Sequence, residues 1–92
     1  MSYLVKTMHH KPAYIKGDLE EETVMIDAKV CNTRKEAKEF IENKLRGKKQ
    51  VYRNYHRGDK LSTCGYYTGK TWINENTGEE CEESFTYIMS KA

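Results

Sequence analysis

Apolar and polar residues alternate from Thr23 to Cys31. Val24, Ile26, Ala28 and Val30 fall on one face, and Asp27 and Lys29 fall on the other. A period of two predicts a half-buried β-strand. From Thr33 the period lengthens. Ala37, Phe40, Ile41 and Leu45 recur at helical spacing and make one apolar stripe, which predicts a helix over Thr33 to Leu45. Thr33 with Glu36 three residues on matches a capping box, in which each side chain satisfies the other's backbone N–H. Arg46 then stands near the negative end of the helix dipole, and Gly47 suits the stop.

The remaining patterns read as strands. Ser2 to Met8 alternates weakly, and Pro12 to Glu22 reads as a loop with Gly17-Asp18 as its turn. Lys49 to Arg57 places Tyr and Val at strand-favouring positions. Leu61 to Ile73 and Cys81 to Met89 read as hairpin arms joined by Asn74-Glu75-Asn76-Thr77-Gly78, residues that tolerate turn conformations. In the last arm Phe85, Tyr87 and Met89 are expected to face inward. The order is strand, strand, helix, then three strands. This predicts an α+β fold spanning residues 1–92 as one domain: an antiparallel sheet of four to five strands with one helix packed on one face. The helix stripe, through Phe40, Ile41 and Leu45, is expected to bury against Val24, Ile26 and Phe85. The opposite sheet face is expected to stay partly open and to carry surplus tyrosines.

Composition narrows the function classes. Charged residues make up 33 % of the 92 positions, yet ten aromatics (seven Tyr, two Phe, one Trp) supply core material, so a folded domain is expected. The net charge of +2 is unevenly spread. Residues 34–60 carry ten Lys/Arg against four acids, and residues 71–92 carry five acids against one Lys. That asymmetry points to a basic face and an acidic face. Cys31, Cys64 and Cys81 are an odd number without close spacing, so no disulfide framework is expected, and a reduced cytoplasmic setting follows. No apolar run approaches the roughly 20 residues that span a membrane.

Arg46 to Lys60 is the densest chemistry. Arg46, Lys48, Lys49, Arg53, Arg57 and Lys60 stand against the single acid Asp59, with Tyr52, Tyr55 and His56 interleaved. Cations neutralise phosphates and aromatic faces stack on unpaired bases, so these nine residues are the candidate nucleic-acid or partner surface. Tyr and Arg are also the residues enriched at protein–protein hot spots. An ordinary half-exposed strand has the same texture, with Arg stems lying over apolar surface. Other chemistries fit less well. Gly65-Tyr66-Tyr67-Thr68-Gly69-Lys70-Thr71 has one residue too few between its glycines for a P-loop and leads into Trp72-Ile73, so it reads as a strand with a bulge or twist. His9, His10, His56 and the cysteines lack the paired spacing of zinc ligands. No catalytic residue, metal or cofactor is expected, and the chain reads as a binding protein and not an enzyme.

In size, in its one helix on an antiparallel sheet, in tyrosine content and in its split between basic and acidic ends, the chain resembles the small phage-encoded anti-CRISPR proteins, most of all the type I-F inhibitor group. Members of that group share no motif, so no residue role is carried over. The resemblance implies a stoichiometric inhibitor that acts in the host cytoplasm to evade host defence. Its partner would be a CRISPR-Cas ribonucleoprotein, contacted through Cas subunits and guide RNA, with target DNA hybridisation blocked. It implies neither a membrane nor a small-molecule substrate. Two alternatives stay open: a stand-alone RNA- or DNA-binding domain, and a protein–protein adaptor without nucleic-acid contact.

Overall fold

The computed structural model describes residues 2–92. Strands β1 (Tyr3–Ile15) and β2 (Asp18–Cys31) form a long hairpin, followed by helix α1 (Arg34–Leu45). Strands β3 (Gln50–Asn54), β4 (Ser62–Ile73) and β5 (Glu80–Lys91) complete the chain. All pairings are antiparallel, and the five strands lie in the order β2-β1-β5-β4-β3. The predicted α+β class and ββαβββ order describe this architecture.

The helix forms where its stripe and cap require. Thr33, extended at φ −134 and ψ 160, accepts the Glu36 N–H on its hydroxyl at 3.1 Å. Glu36 reaches back one residue beyond the expected partner, accepting from the Asn32 N–H at 3.3 Å. Ala37, Ile41 and Leu45 are fully buried against Val5, Cys31, Cys64, Tyr87 and Met89 of the sheet. Phe40 packs at the margin of this cluster, half-buried, with the Lys29 and Lys44 ammonium groups 5.6 Å and 5.3 Å from its ring centroid. A helix of 12 residues is about 18 Å long. The molecule extends 45 Å along its longest axis, so α1 covers only part of one sheet face.

Two expectations are corrected. Val24, Ile26, Ala28 and Val30 do not bury under the helix. The pairs Tyr3↔Cys31, Val5↔Lys29 and Thr7↔Asp27 put Lys29 and Asp27 on the side of Val5, and Val30 is 63 % exposed. Alternation divides a strand into two faces, but Cys31 decides which one meets the core. The alternation also breaks at Ile26, an unpaired extra residue between Thr7↔Asp27 and Met8↔Met25; such a bulge reverses the faces beyond it. Nor is Pro12 to Glu22 a loop. β1 runs through Ile15, Lys16-Gly17 makes the turn, and Glu20, Glu21 and Glu22 lie in β2. Pro12 is tolerated because β1 pairs with β5 only as far as His10, beyond which it has an edge.

Two other readings hold. The hairpin turn after β4 closes through Asn74 N–H to Glu79 O at 2.8 Å, with Asn74 Oδ1 accepting from Asn76. Of the two glycines in β4, Gly69 marks an irregularity, with φ +89 where the register shifts between Tyr67 and Thr71, whereas Gly65 pairs regularly with Thr86. Among the described residues no helix is long and apolar enough to cross a membrane.

Candidate nucleic-acid and partner interface

The basic segment is divided by its own strand. Arg46 leaves the helix in extended conformation, Gly47 takes φ +79, and the Lys48 N–H bonds Leu45 O at 3.1 Å. This turn presents Arg46, Lys48 and Lys49 at the start of β3. His56, Arg57 and Lys60 follow its end. The five residues of β3 separate the two groups by about 16 Å. Among the described residues, Arg46, Lys49, Arg57 and Lys60 are exposed and have no ion-pair partner.

At the first group the structure adds residues that the linear reading left out. The pair Gln50↔Tyr67 brings β4 alongside, and Lys48, Lys49, Tyr66, Tyr67 and Thr68 line a groove of about 370 Å³. Lys48 Nζ stands 4.9 Å from the Tyr66 ring centroid. Tyr66 in turn stacks on Phe85 with centroids 5.2 Å apart, and Phe85 stacks on His9 at 4.2 Å. Consecutive tyrosines in a segment considered for a P-loop were the available sequence signal; strand pairing alone brings them to the lysines.

Arg53 and Tyr55 are both held against the helix, Arg53 at the exposed surface and Tyr55 half-buried. Arg53 donates from Nε and Nη2 to the Glu42 carboxylate at 3.0 Å and 2.9 Å, and the Tyr55 hydroxyl donates to Glu42 Oε2 at 2.6 Å. These hydrogen bonds, Arg53 first, hold the Glu42 carboxyl below its usual range. Burial first, and then the Glu42 hydrogen bond, push the Tyr55 phenol far above its ordinary value. Lys38 Nζ covers the Tyr55 ring at 4.8 Å. Tyr52 lies on the other sheet face, over Gly65, with its hydroxyl 3.0 Å from Thr86 Oγ1. His56 is anchored through its backbone: its N–H donates to Ser62 Oγ at 2.8 Å, and its carbonyl accepts from Arg34 Nη2 at 3.3 Å. The nine candidate residues therefore reach four places: two exposed basic ends, a helix-bound pair and the opposite face.

The acidic residues gather where the two hairpins end. Glu75 N–H donates to Leu19 O at 2.8 Å, and the Glu75 carboxylate accepts from the Leu19 N–H, tying one tip to the other. Glu21 of β2 thereby lines one trough with Glu79, Glu80 and Glu82. Glu83 is engaged differently, 3.0 Å from His9 Nε2 and accepting from the Thr68 hydroxyl at 2.9 Å. Burial acts to raise its carboxyl, and the His9 and Thr68 hydrogen bonds outweigh that and hold it below the usual range.

The thiols offer little nucleophilic chemistry. Cys31 and Cys64 are fully buried. The Cys81 thiol is pushed up by desolvation and by the Glu21 and Glu79 carboxylates, which disfavours the thiolate. No cluster of three or more His, Cys, Asp or Glu among the described residues is placed to hold a metal. Comparison with family models, curated proteins and solved structures found no match to this chain.

Proposed function

We propose that this chain is a stoichiometric inhibitor of a type I-F CRISPR-Cas surveillance complex, which it binds through Cas subunits and guide RNA so that target DNA cannot hybridise. The resemblance motivates the partner. The observation that carries the two-sided contact is the separation of charge, with lysine- and tyrosine-lined surface at the ends of β3 and glutamates at the joined hairpin tips. Arg46, Lys48 and Lys49 suit a phosphate chain, and the exposed ring of Tyr67 in the same groove suits an unpaired base. Arg57 and Lys60 give a second phosphate or acidic-protein contact. His56 borders the second of these surfaces, Arg53 and Tyr55 shape them through Glu42, and Tyr52 serves the opposite face. The glutamates suit the basic protein that holds an RNA guide.

The test compares binding to naked guide RNA with binding to the assembled guide–Cas complex. Tight binding to the complex alone, with loss of target hybridisation, supports the inhibitor. Equal binding to naked RNA favours the second reading, a stand-alone nucleic-acid domain, for which the groove lined by Lys48, Lys49 and Tyr67 is the specific observation. In either case each lost phosphate contact flattens the log–log salt dependence by about 0.7 for a single strand.

A further inference from the structure

We propose that an acid-walled trough on the sheet face opposite α1 receives an arginine side chain from a basic segment of a protein partner. The inference deepens the inhibitor reading and rests on it for the partner's identity. The trough has a volume of about 400 Å³ and crosses the sheet from Glu21 on β2 to Tyr52 on β3. Its depth comes from small residues. Ser84 and Thr86 line it, and the neighbouring Gly65 leaves room for the Tyr52 ring to lie down: a Cβ on Gly65 would meet Tyr52 Oη at 2.6 Å. One wall is aromatic, with Tyr52 and Tyr67 at a centroid distance of 5.8 Å and tilted by 44°. Tyr67 is 43 % exposed and so presents an uncovered ring. The other wall carries Glu21, Glu79, Glu80 and Glu82.

The lining selects its occupant. No Lys or Arg lines the trough. His10 reaches it with both ring nitrogens engaged, Nδ1 at 2.8 Å from Thr23 Oγ1 and Nε2 at 3.1 Å from Thr86 Oγ1. Phosphates are repelled by such walls, which separates this surface from the lysine groove. A planar guanidinium meets both walls at once: it stacks on the exposed tyrosine ring and donates in pairs to carboxylates, which a lysine ammonium does not match.

The experiment follows backbone amide NMR shifts of the intact protein titrated with acetyl-Gly-Arg-Gly-Arg-Gly-amide and with the same peptide carrying lysine or citrulline. Saturable shifts at Tyr67, Glu80, Glu82, Ser84 and Thr86, with affinity falling from arginine to lysine to citrulline, are expected. E80Q/E82Q and Y67A, all at surface positions, should each weaken the arginine peptide by about fivefold or more. Shifts spread equally over acids elsewhere, such as Glu39 and Asp27, or equal affinity for lysine and arginine, overturn the proposal. So does a Y67A variant that binds as wild type. Concentration-dependent self-association that E80Q/E82Q abolishes would assign the trough to a second copy and also overturn it. The variants are then tested on the surveillance complex. Wild-type affinity in both overturns the trough's role there and leaves the inhibitor reading intact. A wild-type protein that ignores the complex defeats the inhibitor reading, while the peptide titration still judges the trough.

Discussion

At Gly65 one missing carbon sets the shape of a whole face. The Tyr52 ring and the Phe85 carbonyl occupy the space that a Cβ would need. G65A should therefore lower stability by about 1–3 kcal/mol through overpacking, visible as a fall in melting temperature of about 4 °C or more. Glu42 carries a different prediction. Its folded carboxyl lies below its ordinary value of 4.5, because Arg53 and Tyr55 bond the ionised form. A depressed carboxyl contributes stability that is present above its unfolded value and lost as pH falls through the folded one. Melting temperature should thus drop on acidification from about pH 5 to pH 3, and E42Q should drop less steeply over that window. Equal slopes for wild type and E42Q would show that the Arg53–Glu42–Tyr55 network is not the linked group.

The helix is the element that concentrates core energy. Ile41 is fully buried and Phe40 only partly, so the order of their costs is set by position and not by size. I41A should cost about 2–5 kcal/mol, and F40A should cost less than I41A, although Phe is the larger residue. Denaturant unfolding of both variants checks the order. T33A should cost about 1 kcal/mol by freeing the Glu36 N–H, with little change in the rest of the spectrum. β2 and β3 are the two edges of the sheet; β3 is only five residues long, and the bulge at Ile26 and the charges of β2 blunt the longer edge against pairing with other chains.

At the scale of the whole molecule, charge separation is the property to perturb. Arg53 is a poor probe, because R53E would set two carboxylates together at Glu42 and disturb the helix contact. Lys49 and Arg57 are exposed and unpaired among the described residues. A K49E/R57E double variant should keep the wild-type circular dichroism and melting temperature while its affinity for the guide–Cas complex falls at least tenfold and loses part of its salt dependence. Filter binding and interference assays at several salt concentrations read this out. Unchanged affinity across them would mark both ends of β3 as solvated surface.

Local chemistry was legible in the sequence. The Thr33 cap, the Ala37–Ile41–Leu45 stripe, the inward Tyr87 and Met89 and the Asn74–Gly78 turn each follow from residues within a few positions of one another, and each forms as its spacing predicts. The sequence by itself therefore determined the order of the elements and that one helix must bury one stripe, though not that β1 and β2 run through Pro12 to Glu22. Tertiary structure decided which face of β2 meets that helix, because Cys31 is set opposite Tyr3 and a bulge at Ile26 shifts the register. It also divided fifteen consecutive residues among two basic ends, a helix-bound pair and the opposite face. The physical reason is distance along the chain. Glu42 neutralises Arg53 from 11 positions away, Thr86 meets Tyr52 from 34 and His10 from 76. A pattern read along the chain specifies period and capping, whereas strand order and register choose the neighbours of each charge.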